Sequence, residues 1–233
     1  MKKCKVMHVG LHNPGHNYSM NGSLLCTVNS EKDIGITISD NLKPSEHCRV
    51  ASRTAMNVLF QLLRSFSYRD KKVFLKLFIT YVRPHLEFAS PVWNPWLVKD
   101  IRLLERVQEK FVRNVQGLRA TEYRDRLVEL GILSLEDRRL YLDLIETFKI
   151  IKGFNNVKCD EYFTLIRDSA RPTTRSNDCQ WNIIPLRCNS DIRRHFFINR
   201  VAVHWNNLPI EMKELTRLVQ FKSDLKCFML STY

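Results

Sequence analysis

"LVKDIRLLERVQEKFVRNV", residues 97–115, is the stretch on which the fold turns. Leu97, Ile101, Leu104, Val107, Phe111 and Val115 recur at about 100° per residue and fall on one face of a helix. Lys99, Arg102, Arg106, Lys110 and Arg113 step by three or four along the opposite face, and Gly117 supplies a stop. The apolar side requires a core. The cationic side has two readings. It can track a phosphate backbone, each neutralised phosphate adding salt-dependent affinity. It can equally be a solvated face, eased by Glu105 and Glu109 through pairs three and four residues apart.

Helical spacing extends to both sides. Upstream, Ala51, Ala55, Val58, Leu59, Leu62 and Leu63 predict a helix opening near Pro44, and Ala51, Ser52 and Ala55 are small enough to admit another backbone. A second helix begins after "SYRD" (67–70), with Phe74, Leu77, Phe78, Tyr81 and Val82 on its buried side. It meets Pro84, whose missing N–H and ring force an end or a kink. "YVRPHLEFASPVWNPW", residues 81–96, follows. Its aromatics, Tyr81, Phe88, Trp93 and Trp96, could stack on the bases of a single strand. With Tyr81 on the apolar side and Pro91 and Pro95 bracketing a connector, a joint between packed helices is the better reading.

Further on, Thr121 can cap a short helix ending at Gly131, and Ser134 with Asp137 opens a longer one reaching Gly153. Residues 4–38 read as short strands, "CKVMHVG", "SLLCTV" and "IGITIS", broken by Asn-Pro-Gly and by the charged "NSEKD". Beyond Gly153, "DSARPTTRSNDCQ" (168–180) is a linker or exposed loop and "WNIIPL" a short extended segment. A helix from Asp191 carries Phe196, Phe197, Val201, Val203 and Trp205 as far as "NNLP", and "TRLVQFKSDLKCFM" closes the chain as an amphipathic helix. The expected class is α+β, mainly α: a small N-terminal antiparallel β element, a helical bundle and a mixed C-terminal extension. The expected boundaries are 1–42, 43–153 and 154–233.

Composition narrows the function. In 233 residues, 37 Lys+Arg against 24 Asp+Glu leave +13, which favours phosphate-rich partners, nucleic acid before anionic membrane. Seven glycines are few for phosphate-cradling loops. No apolar run suits secretion or a membrane span, so no membrane partner is expected. The seven scattered cysteines contain no C-x-x-C and suit free thiols in a reducing, intracellular compartment, nucleus and cytoplasm both remaining open. There is no adjacent Asp-Asp, G-x-x-x-x-G-K, H-E-x-x-H or G-x-S-x-G, so catalysis by this chain alone is not expected. Cys4, His8, His12 and His16 recur every four residues, but Pro14 and Gly15 break the helix that would align them as ligands. Cys179, Cys188, His195 and His204 match no common finger spacing. No metal site is expected.

In order, "KCKVMHVG", "KDIGITISDNLKPSEHC", "YVRPHLEFASPVWNPW", "LERVQEKFVRNVQGL" and "RVAVHWNNLPIEM…FKSDL" resemble the C-terminal part of reverse transcriptases from non-LTR (LINE-type) retrotransposons, jockey-like and chicken-repeat groups especially. The resemblance spans nearly the whole chain. It implies the last palm strands over about residues 18–39, a thumb that embraces an RNA–DNA template–primer duplex over about 43–153, and an extension beyond. In that family an aromatic-Ala-Asp-Asp turn in the palm holds two Mg ions for nucleotidyl transfer. The sequence starts just past that turn, so the resemblance implies a fragment without the polymerase's catalytic half. The family's lysine after the turn, a proton donor to pyrophosphate, corresponds to Lys3. Lys99, Arg102, Arg106, Lys110 and Arg113 then become thumb contacts to phosphates. The expected activity is residual template–primer binding without catalysis. The alternative is an interaction protein or homo-oligomer, in which a protein partner, or the missing palm and fingers, covers an exposed apolar face.

Overall fold

A computed structural model describes residues 4–10, 13–168 and 179–231. Lys3 and His12, and most of the predicted 168–180 loop, lie outside the described residues. The protein is mainly helical, with small β hairpins at the N-terminus.

Six short strands, β1 (Lys5–Val6), β2 (Ser19–Met20), β3 (Ser23–Leu24), β4 (Cys26–Thr27), β5 (Ser30–Asp33) and β6 (Ile36–Ser39), form three two-stranded ladders. β2–β3 and β5–β6 are antiparallel, whereas β1 runs parallel to β4. β5 occupies the charged "NSEKD" that was read as a separator. Its residues are polar and mostly exposed, so it carries no apolar alternation, and only pairing with the apolar β6 makes it a strand. Ile34 and Gly35 both have positive φ (44° and 87°), the turn that two-residue hairpins require.

The helices are α1 (Ser45–Ser65), α2 (Lys71–Leu77), α3 (Arg83–Glu87), α4 (Ser90–Trp93), α5 (Val98–Arg113), α6 (Tyr123–Leu130), α7 (Leu135–Ile151), α8 (Cys159–Tyr162), α9 (Asp191–Arg194), α10 (Phe197–Asn206), α11 (Ile210–Glu214) and α12 (Leu218–Leu230). Pro84 does not end the second helix. A π-helical turn, Phe78–Val82, joins α2 to α3, with the Arg83 N–H donating to the Phe78 carbonyl five residues back. The wider turn absorbs the proline that an α-helix interior would reject. It also changes the phase. Phe74, Phe78, Val82 and Leu86, spaced by four, all stay buried. Tyr81, expected inside, turns out to 54% exposure.

The joint at 81–96 is filled by fewer aromatics than expected. Trp93 is buried against His47 (ring centroids 4.5 Å apart) and donates Nε1–H to the Phe88 carbonyl at 2.7 Å. Trp96 stacks on His195, while the Phe88 side chain lies outside over Gly35, where a Cβ would come within 3.0 Å of its ring. Thr121 does not cap α6; its hydroxyl donates to the Leu118 carbonyl. Ser134 does cap α7, accepting from the Asp137 N–H at 3.0 Å, and Gly131 ends α6 with φ of 62°. The helix predicted from Asp191 is broken after α9, which leaves Phe196 and Val203 exposed while Phe197, Val201 and Trp205 are buried.

The apolar interior forms two clusters. The first joins α1, α2, α5 and α6 around Leu59, Phe78, Leu104 and Phe111; the second joins α7, α10 and α12 around Phe148, Trp205 and Phe221. A polar network crosses between them. Asp143 of α7, 1% exposed, accepts from Arg200 of α10 through both oxygens at 2.9 Å and from Asn94 Nδ2 at 3.1 Å. Arg200 also donates to the Pro91 carbonyl, and Arg139 Nε donates to Asn94 Oδ1. Both terminal nitrogens of the buried Arg139 lack a partner, and burial pushes its guanidinium below the ordinary arginine range. Among the described residues no helix is long and apolar enough to cross a membrane, and all seven cysteines are free thiols.

Candidate nucleic-acid interface

The inward face of α5 is held from three sides. Toward α1, Ser52 Oγ donates to the Leu103 carbonyl at 3.0 Å, so the small residues of α1 do bring two backbones together. Ser45 Oγ donates to the buried Asp100 carboxylate at 2.5 Å, tying the first turns of α1 and α5. Toward the π turn, Phe111 stacks on Phe78 with centroids 4.1 Å apart. Toward α6 and α7, Gln108 Nε2 donates to the Leu133 carbonyl at 2.9 Å and to the Tyr123 hydroxyl at 3.2 Å.

Rotation of α5 is thereby set, and its other face looks outward. Lys99, Arg102, Arg106, Lys110 and Arg113 are all exposed, and none forms an ion pair among the described residues. They extend over about 21 Å of helix axis at 1.5 Å per residue. Lys110 Nζ lies 6.0 Å from the centroid of the Phe60 ring.

Glu105 does not relieve this stripe. Its carboxylate turns away, accepting the Tyr123 hydroxyl and, at 3.0 and 3.1 Å, the Leu135 N–H at the start of α7. An anion at a helix N-terminus satisfies free backbone donors and the positive end of the dipole. Burial pushes the Glu105 carboxyl up, with these hydrogen bonds opposing it, and burial together with the Glu105 charge pushes the Tyr123 phenol up. Glu109 makes no ion pair among the described residues. Neither carboxylate therefore forms an ion pair with the stripe among the described residues.

Some of the other cations are engaged elsewhere. Lys71 pairs with Glu129, and Arg194 pairs with Asp191. Arg69 directs its guanidinium at the carbonyls of Leu63 and Phe66, 3.0 and 3.1 Å away at the end of α1. At the C-terminal end of α5, the Gln116 N–H donates to the Arg69 carbonyl at 3.0 Å and ties two connecting loops together. Between them is an open cleft of about 520 Å³ reached by Lys110, Arg113 and Arg119, with no Asp or Glu in its lining. Sequence periodicity shows the stripe but not this cleft. Arg119 and Tyr68 come from loops 51 positions apart, and only the turn signal of Gly117 hints that the chain folds back there.

An apolar cleft of about 250 Å³ lies apart from the stripe, between β6, α4 and α9, walled by Ile36, Val92, Trp96 and Phe196. Among the described residues no three His, Cys, Asp or Glu side chains converge as a metal-ligand set.

No known family model matches the chain, and no solved structure matches it. It is similar to the uncharacterized protein B0403.1 of Caenorhabditis elegans, with 28% identity over 137 residues. That alignment covers 58% of this chain and 66% of the worm protein, just under two thirds of its length.

Proposed function

We propose that the protein is the thumb-bearing portion of a non-LTR-type reverse transcriptase and that it grips an RNA–DNA template–primer duplex through α5, without carrying out nucleotidyl transfer itself. The carrying observation is the row of five exposed cations, free of carboxylate partners among the described residues, on a helix whose other face is locked into the core. Charges of one sign on a rigid rod meet a phosphate backbone without reading bases, as a polymerase thumb must. The working compartment in this reading is intracellular, where the free thiols persist.

An electrophoretic mobility assay with an RNA–DNA duplex tests this. Binding should weaken with salt at a log–log slope of about −4 to −5 if each cation neutralises one phosphate. Changing Lys99, Arg102, Arg106, Lys110 and Arg113 to Gln should flatten that slope. Equal binding by the variant retires the stripe, and primer extension by the purified chain would refute the non-catalytic reading.

A second reading has one observation in its favour. Leu24 and Ile34 in the N-terminal hairpins are 72% and 85% exposed, so these ladders offer apolar side chains to something else. Sedimentation showing a concentration-dependent oligomer, with no salt-sensitive duplex binding, would select it.

A further inference from the structure

Resting on the duplex reading above, we propose that the cleft at the C-terminal end of α5 is a subsite for one unpaired nucleotide. Its phosphate would sit among Arg113, Lys110 and Arg119, and its base would stack on Tyr68. The interface would then favour a duplex bearing a single-stranded overhang over a blunt one.

Three observations converge on this. The first is charge: Lys110, Arg113 and Arg119 meet in one concavity with no acidic residue in the lining, and Arg69 alone is spent on local carbonyls. Clustering like charges without a counter-ion is unfavourable, and a phosphate relieves it. The second is size. At about 520 Å³ the cleft lies within the roughly 300–1,000 Å³ range of small-molecule sites, and it is open rather than enclosed, which suits one unit of a continuing chain. The third is Tyr68. It also lines the cleft and is 71% exposed, although a tyrosine can bury its ring when a core is available. It follows the last turn of α1 and immediately precedes Arg69, whose hydrogen bonds to Leu63 and Phe66 fix the loop that carries it. A ring held at the rim of a cationic cleft stacks on any base, because every base has a π-face.

Placement supports the same occupant. Lys110 and Arg113 belong both to the stripe and to the cleft, so a strand leaving the stripe enters the cleft directly. The base contact comes only after the last helical cation. A base inside the duplex is stacked on both faces and fixed in place by its pair, whereas an unpaired one can turn its face onto the Tyr68 ring.

The test is fluorescence anisotropy with the full chain, comparing a blunt RNA–DNA duplex with the same duplex carrying a short overhang on either strand. The wild type should prefer one overhang by roughly fivefold or more, the lower end of what base–aromatic stacking provides. Tyr68→Ala should bring the ratio of the two affinities close to one, and Tyr68→Phe should keep it. Arg119→Gln should lower the ratio too. A circular dichroism melt separates misfolding from lost contact. Salt-dependent binding of both duplexes at equal affinity by the wild type overturns the subsite alone. Absence of binding to either duplex overturns the interface and the subsite with it, and an unchanged ratio in Tyr68→Ala overturns the stacking assignment.

Discussion

Two residues carry more than their positions in the chain suggest. His47 is buried, and its Nδ1 accepts the Thr37 N–H at 3.2 Å, which pins β6 to α1. Burial, with help from the nearby Lys32 charge, holds its pKa below the ordinary 6.5. Protonation removes the acceptor, so between the depressed folded value and 6.5 the unfolded chain binds more protons than the folded one. Stability is then complete above pH 6.5 and declines as pH falls below it. Urea midpoints should show this fall, and His47→Asn should flatten it in the range just below pH 6.5. Glu105 is the second. Glu105→Ala strips the start of α7 of its carboxylate acceptor and should cost about 1–2 kcal/mol in urea denaturation. Neither role was legible from spacing. Glu105 sits at the edge of the cationic stripe in sequence, where a surface ion pair is the natural reading. Only the arrival of Leu135, 30 residues later, redirects it.

At the scale of elements, the crossing of α1 and α5 is the clearest case of sequence foretelling contact. Ala51, Ser52 and Ala55 announce a close approach, and the Ser52 hydroxyl reaches the Leu103 carbonyl. Ser52→Ala should cost about 1 kcal/mol for the lost hydrogen bond. Ser52→Leu should cost about 1–3 kcal/mol more, because the added volume forces the backbones apart. Denaturant midpoints for the two variants check both figures. The inward and outward faces of α5 were equally legible, since a period of 3.6 separates them over four turns. The π turn was not. Phe74, Leu77, Phe78, Tyr81 and Val82 fit an ordinary helix, and nothing in that list says the helix widens to pass Pro84. Tyr81 therefore moves to the surface through a change of phase, not of hydrophobicity. The broken helix after Asp191 misled in the same way, with Phe196 and Val203 counted into a stripe that stops and restarts.

Across the whole molecule the two cores are joined by α7 itself and by the buried Asp143–Arg200 pair of the second core, which reaches out to Asn94 and to the Pro91 carbonyl. Removing one partner of a buried ion pair strands the other, typically at about 3–5 kcal/mol. Arg200→Ala should therefore separate one calorimetric transition into two, the C-terminal core melting first. The location of the candidate interface was visible in composition and in one helix, but its attachment to the rest was not, because Asn94, Asp143 and Arg200 come together only in the fold. That attachment has a mechanical consequence. α7 belongs to the second core from Leu140 onward, yet Leu135 at its start lies in the first, and its first peptide is fastened by Glu105 to the very helix that bears the cations. Torque applied to the C-terminal core is thus delivered along a rigid shaft to the root of the cationic helix. A load that turns α7 must first unhook Leu135 from Glu105, releasing that carboxylate beside the stripe it had been kept away from.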